Sequence, residues 1–231
     1  MSLRTRFLSG SRRCLFAIAA PKEAHAVTQA FNLPEVIHCR LTPISDAFDL
    51  VLTGVGKSAA AAGVAHVLDP ARHACVISLG IAGALPNSNL PLVSRIATRT
   101  SVFADEGSVT PEGFRSISDM GFPPFPSGDI AHADPRLLEC LDVPIVGAIA
   151  TVSTCSGTDA AATEIVRRTD AVAEAMEGAS VGLVAFRMNV PFAEVRVISN
   201  TTGDRSRQRW SLEESLAQLG LFVREHHDRA T

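Results

Sequence analysis

Short apolar runs recur along this chain, and most are followed by an alanine-rich stretch of about ten residues that could wind as a helix. The runs at 15–20, 48–53, 74–79, 144–152 and 193–198 are rich in branched and aromatic residues and too short for typical helices, so they read as buried strands. The intervening stretches at 22–31, 57–68, 160–169 and 178–188 read as helices, as does 135–141, which opens on a proline. Residues 92–103 form a long β-rich segment, 171–173 a short apolar run and 211–224 a C-terminal amphipathic helix. Strands alternating with helices of this length predict an α/β three-layer sandwich, with a mixed, largely parallel central sheet flanked by helices.

With 231 residues, 46% of them hydrophobic, such a fold can fill its core and a disordered chain is excluded. The 21 Lys and Arg against 24 Asp and Glu leave a net charge of −3, which offers no electrostatic footprint for nucleic acid. One Trp and no Tyr exclude an aromatic-rich stacking platform, so small residues are expected to line any site. Residues 74–94 carry no charge, but Gly80, Gly83, Pro86 and Pro91 break any membrane-spanning helix there. Arg4, Arg6, Arg12 and Arg13 ahead of the apolar run 14–20 imitate an export signal. That run has only seven residues and doubles as the first strand, so we expect a cytoplasmic protein with a flexible basic tail over 1–13 and one domain over 14–231. Five scattered cysteines with no C-x-x-C spacing read as reduced thiols, and no His or Cys cluster has metal-ligand spacing. Residues 105–134, rich in Gly, Pro and Ser, lack periodicity and read as a functional or mobile excursion.

Thr53-Gly54-Val55-Gly56-Lys57-Ser58 joins a strand to a helix and ends like a phosphate loop. Val51 stands where the Walker pattern needs glycine, and Leu79-Gly80-Ile81 where the dinucleotide fingerprint needs an acid, so neither nucleotide loop fits. What remains is a tight turn, either structural or open to close approach by a ligand. Gly80-Ile81-Ala82-Gly83, read as a second turn after a buried strand, has the same two readings. Glu23 sits past the first strand, where ligand crevices of open α/β sheets lie, although a first-turn acid also suits the helix dipole. Glu177 interrupts an apolar stretch; a carboxylate there must be paired or bound, and a sugar diol supplies two O–H donors. Asn200 ends the last strand, as a turn former or a ligand contact. Trp210 follows as a stacking lid or a core residue.

In this order the pieces resemble the nucleoside phosphorylase/nucleosidase superfamily. The most specific parts are Ala175-Met176-Glu177-Gly178 and the later Val190-Pro191-Phe192 and Val195-Arg196-Val197-Ile198-Ser199-Asn200. Within it, Ala104-Asp105-Glu106-Gly107 with Gly113-Phe114 downstream, and Gly203-Asp204-Arg205 with Trp210, are similar to the futalosine hydrolase family. Glu106 departs from it, standing where many members carry an uncharged residue. The resemblance implies cleavage of the N-glycosidic bond of futalosine by a homodimer or higher homo-oligomer, with no metal, cofactor, nucleic acid or membrane partner. It implies catalytic roles for Glu23, as base, and Asn200, on the purine. It also implies substrate contacts from Met176 and Glu177 to the ribose, and from Ile81, Ala82, Gly83, Cys155, Ser156, Thr158 and Trp210. An adenine-type methylthioadenosine nucleosidase, a purine nucleoside phosphorylase and a non-catalytic nucleoside binder share these features. The positions matching the phosphorylases' phosphate grip are Ser78 and Ile81, which bring no cation, so hydrolysis is expected over phosphorolysis.

Overall fold

The computed structural model describes residues 3–8 and 12–229. In chain order the elements are α1 (Leu3–Arg6), β1 (Arg13–Ile18), α2 (Pro21–Gln29), β2 (Leu41–Pro43), β3 (Phe48–Leu52), α3 (Lys57–Val67) and β4 (His73–Ala84). There follow β5 (Arg95–Phe103), β6 (Gly107–Thr110), β7 (Gly113–Ser116), β8 (Ile130–His132), α4 (Pro135–Leu141) and β9 (Ile145–Thr151). The chain ends with α5 (Asp159–Thr169), β10 (Ala171–Ala175), α6 (Gly178–Arg187), β11 (Phe192–Thr201) and α7 (Leu212–Asp228).

β1 lies parallel between β3 and β4, and β2 runs antiparallel along β3. On the other side of β4 come β11, β5, β9 and β10, with β11 parallel to β4 but antiparallel to β5. β5, β9 and β10 run parallel, and β8 pairs antiparallel with β5. The α/β class and the mixed sheet match the sequence reading; the closure of part of the sheet on itself goes beyond it. β10 returns antiparallel to the end of β4, with Ala173 opposite Ala84 and Glu174 opposite Gly83. This closes β4, β11, β5, β9 and β10 into a five-strand ring. The reason is length: β4 has 12 residues and β1 only 6, so the far half of β4 would otherwise present an unpaired edge.

Strands buried on both sides read as continuous apolar runs, as β1 and β4 do. Phe16 and Ile18 of β1 join Ile77, Leu79, Val195 and Val197 in a core covered by α1, α2, α4 and α7. Leu15, Ala17 and Val76 face the opposite way, under α3 and α6. A third cluster, mostly of small side chains, draws on all five ring strands. Residues 3–8, expected to fray with the basic start, instead bury Leu3, Phe7 and Leu8 in the first core. The region 105–134 is partly regular: β6 and β7 make a separate hairpin, and β8 joins the main sheet. Gly80–Gly83 is not a turn but the continuing strand β4. Among the described residues no helix is long and apolar enough to cross a membrane.

Candidate active site

The edge of β4 carries the site. β1 pairs with β4 only as far as Ser78, and β10 takes over at Gly83. In the gap between them the N–H of Ile81 donates to Glu23 Oε1 at 2.8 Å. Glu23 reaches this gap because it lies in the first turn of α2, directly after β1, and its Oε2 accepts from the N–H of the N-cap residue Ala20 at 3.0 Å. Glu23 is thus a buried and not an exposed first-turn acid, with one oxygen on the helix N-terminus and the other on β4. Burial pushes its carboxyl above the ordinary glutamate range. Arg196 and the two N–H bonds oppose that rise, and the nearby Glu177 adds to it.

Arg196 lies directly across from Gly80 in the register of β11 and β4. Its Nε donates to Glu194 Oε1 at 2.8 Å and its Nη2 to Ser78 Oγ at 3.0 Å, with Glu177 Oε2 3.5 Å from Nη2. Burial works against this charge, but Glu194, Glu177 and Glu23 outweigh it and raise its pKa. Glu194, wholly buried, also accepts from Ser101 Oγ. A cation does therefore stand beside Ser78, contrary to the reading of the phosphate positions. It arrives from the neighbouring strand and is already matched by carboxylates.

Two glycines make room for this cluster. A Cβ on Gly80 would lie 2.8 Å from Glu23 Oε1 and closer still to Arg196 Nη1. A Cβ on Gly178 would collide with the Glu194 carboxylate. The first glycine turn also finds its partner here. Gly56, held at φ 95° where glycine is favoured, donates its N–H to Glu177 Oε1 at 3.1 Å. Next to it Lys57 Nζ pairs with Asp105 and sits 3.5 Å from Glu106 Oε1, which gives Glu106 a counter-charge. Asp105 Oδ2 in turn accepts the Ser153 N–H at 2.6 Å.

Asn200 lies within β11, paired with Gly83 past an irregularity in the register, and not in a turn. Its Oδ1 accepts from Ser199 Oγ at 2.9 Å and its Nδ2 donates to the Thr201 carbonyl at 3.0 Å. Trp210 bridges to Asn200 through the backbone and is 48% exposed, so it is not a core residue. The Arg205 guanidinium lies 5.8 Å from its ring centre. Cys155 is exposed as a residue, yet partial burial of its thiol, with Glu174 and Glu177 nearby, pushes it up to about 11. Ser156 is buried and gives both its N–H and its hydroxyl to Glu174. The Thr158 hydroxyl accepts from the Ala161 N–H as the N-cap of α5, and keeps its own hydrogen as a donor. Ala82 turns its side chain into the ring cluster, and Met176 packs half-buried against the core between β9 and α5.

The structure thus gathers Glu23, Ile81 and Glu177 around Gly80, and Asn200, Gly83 and Trp210 next to them on the same strand ends. Arg196, which the sequence shows only as part of a motif, and Glu194 and Glu174 are additions to which sequence reasoning assigns no role. A visible signal existed for the first two: charges two residues apart, on one face of an otherwise apolar strand. Among the described residues no three His, Cys, Asp or Glu side chains converge as a metal site would require.

The chain belongs to the phosphorylase superfamily, whose profile matches residues 49–228. A relative from Streptomyces coelicolor, futalosine hydrolase, is 35% identical over 219 residues, spanning 89% of this chain and 91% of its own length. Within the superfamily, the chain is a member of that relative's family. The solved structure of a futalosine hydrolase mutant from Helicobacter pylori superposes with a TM-score of 0.77 at 18% identity, covering 94% of this chain and 99% of its own. A 5′-methylthioadenosine/S-adenosylhomocysteine nucleosidase from Neisseria meningitidis, solved with methylthio-immucillin-A, gives 0.76 at 18% identity, with coverage of 94% and 99%. The last two likenesses establish the fold and do not separate the two substrates.

Proposed function

We propose that the chain hydrolyses the N-glycosidic bond of a 6-oxopurine nucleoside, futalosine, to hypoxanthine and dehypoxanthine futalosine, a step of menaquinone biosynthesis. The observation that carries this reading is the buried Glu23 carboxyl, raised in pKa and held next to Arg196 and Glu177 at the open edge of β4. Water adds to C1′ as the C1′–N9 bond breaks, through an oxocarbenium-like sugar. Glu23 takes the water's proton, a role worth roughly 10²–10⁴ in rate. Glu177 accepts from the ribose diol and stabilises positive charge on the ring. The electron pair of the broken bond goes to the purine, which Asn200 holds by hydrogen bonds at its five-membered edge. The purine leaves as neutral hypoxanthine by taking up one proton there, matching the one that Glu23 took from water and then releases. The backbone from Ile81 to Gly83 forms the floor, Cys155 and Ser156 border the base, and Trp210 covers it. The reaction so written needs no cofactor.

Phosphorolysis is disfavoured on charge. Glu194, Glu177 and Glu23 all raise the pKa of Arg196, so a phosphate dianion would meet an excess of carboxylates. The enzyme is taken to act in the cytoplasm as a homodimer or higher homo-oligomer, with the nucleoside as its partner. Incubation with futalosine, inosine and methylthioadenosine, with and without phosphate, tests the reading. Hypoxanthine release from futalosine at a rate indifferent to phosphate is expected. A several-fold rise with phosphate and a sugar 1-phosphate product, or a preference for methylthioadenosine, would overturn it.

A further inference from the structure

Glu174 has no role in the chemistry above, yet it is a buried carboxyl, 4% exposed, on a ring strand that borders the base site. It is the direct antiparallel partner of Gly83 on β10, and Gly83 is paired on its other side with Asn200 of β11. Residues paired in register project to the same face of a sheet. Glu174, Gly83 and Asn200 therefore form one row across three strands, with a carboxyl at one end and an amide at the other. Two interstrand spacings of about 4.8 Å separate the backbones at the ends of the row. A Cβ on Gly83 would sit 2.7 Å from Thr202 Cγ2 and 3.1 Å from Asn200 Nδ2, so glycine is what lets the Asn200 amide lie close over β4 at this row.

The chemistry of Glu174 is also unusual. Its hydrogen-bond partners among the described residues are the Ser156 N–H at 2.8 Å and hydroxyl at 2.6 Å, one on each oxygen, and no cation there pairs with it. Burial raises its pKa, the two Ser156 bonds oppose that, and Asp105 adds to the rise. Each oxygen keeps a lone pair after its bond to Ser156. The Cys155 thiol feels both Glu174 and Glu177, which places the former close to the end of the site assigned to the sugar and base.

Resting on the 6-oxopurine reading above, we propose that Glu174 selects the base by accepting the N1–H of the 6-oxopurine. A 6-oxopurine presents N1–H as a donor, whereas a 6-aminopurine presents a bare N1 lone pair. A carboxylate whose oxygens only accept matches the first and faces the second lone pair to lone pair. Ser156, by holding both oxygens, fixes the plane of the carboxylate. Asn200, at the other end of the row, serves the five-membered edge. Base selection is then divided between two strands.

The test compares wild type with Glu174→Gln on futalosine and on its 6-amino analogue, with thermal unfolding as a check on folding. An amide in place of the carboxylate can turn its NH₂ toward a bare N1. The ratio of kcat/KM for futalosine over the analogue should fall at least tenfold, chiefly through loss on futalosine. A loss of equal size on both substrates would make Glu174 a mere support for Ser156, and an unchanged ratio would exclude it from the base; either overturns the proposal. A second measurement needs no variant. Hypoxanthine should inhibit wild type at least tenfold more tightly than 1-methylhypoxanthine, and equal inhibition would refute the contact. Wild type inactive on futalosine would instead sink the parent reading, a result distinct from both.

Discussion

Gly80→Ala adds a single methyl group at the point where Glu23 and Arg196 meet. The new carbon would fall 2.8 Å from Glu23 Oε1 and nearer to Arg196 Nη1, both inside contact distance. Neither group is the free end of a flexible side chain. Glu23 is tied to the N–H groups of Ile81 and Ala20, and Arg196 to Glu194 and Ser78. Overpacking a tight site of this kind costs about 1–3 kcal/mol. For a chain of this size that lowers Tm by about 2–12 °C. Catalysis should suffer more than stability, because a displacement of about 1 Å of a reacting group can cost about a hundredfold in rate. Hypoxanthine release measured by absorbance gives kcat, and thermal unfolding gives Tm. Gly147→Ala is the control: its Cβ would meet nothing within 4 Å, so neither quantity should move. A Gly80→Ala enzyme with wild-type kcat would refute the view that the crowded pair above Gly80 is the reaction centre.

Glu23→Gln should abolish turnover, by roughly 10²–10⁴ for the loss of a general base, while Glu177→Gln should raise KM as well because its contact with the diol exists in the ground state. Near-wild-type steady-state kinetics in either purified variant would reassign the carboxylates. Because burial raises the Glu23 pKa and the base must be ionised, kcat/KM should fall on acidification at a pH above the ordinary glutamate value of about 4.3. A pH–rate profile flat down to that value would remove Glu23 from the role. Asn200→Asp should narrow or reverse the preference for a 6-oxopurine over a 6-aminopurine nucleoside, since a protonated acid can donate to N7 where the amide offers donor and acceptor together. Competition between the two nucleosides on one enzyme sample measures this, and an unmoved preference counts against Asn200 as a base contact.

Much of the fold is visible in local pattern. β1, β3, α3 and α5 fall close to where apolar runs and alanine-rich stretches place them. Glu23 and Glu177 are legible because a carboxylate beside a buried strand stands out against its neighbours. What escapes is long-range. Nothing in residues 171–175 says that they pair antiparallel with residues 83–84, so the ring is invisible and Glu174 passes for a strand residue. Gly80 and Gly83 look like a turn because glycine is more often punctuation than strand; here glycine marks places where other side chains approach the backbone closely. Thr158 has a role that local spacing does reveal, the cap it makes on α5.

The antiparallel closure of β10 on β4 also sets when this protein becomes an enzyme. Loop closure over so long a stretch costs chain entropy before the pairing returns any stability, so the ring belongs among the late events of folding. During synthesis β1, β3 and β4 can assemble from residues 13–84 alone. Glu23 then waits at the edge of β4 with neither Glu177 nor Arg196 made. The nascent chain meanwhile exposes the far half of β4, an apolar strand edge open to other chains, until residues 171–201 emerge to cover it on both sides.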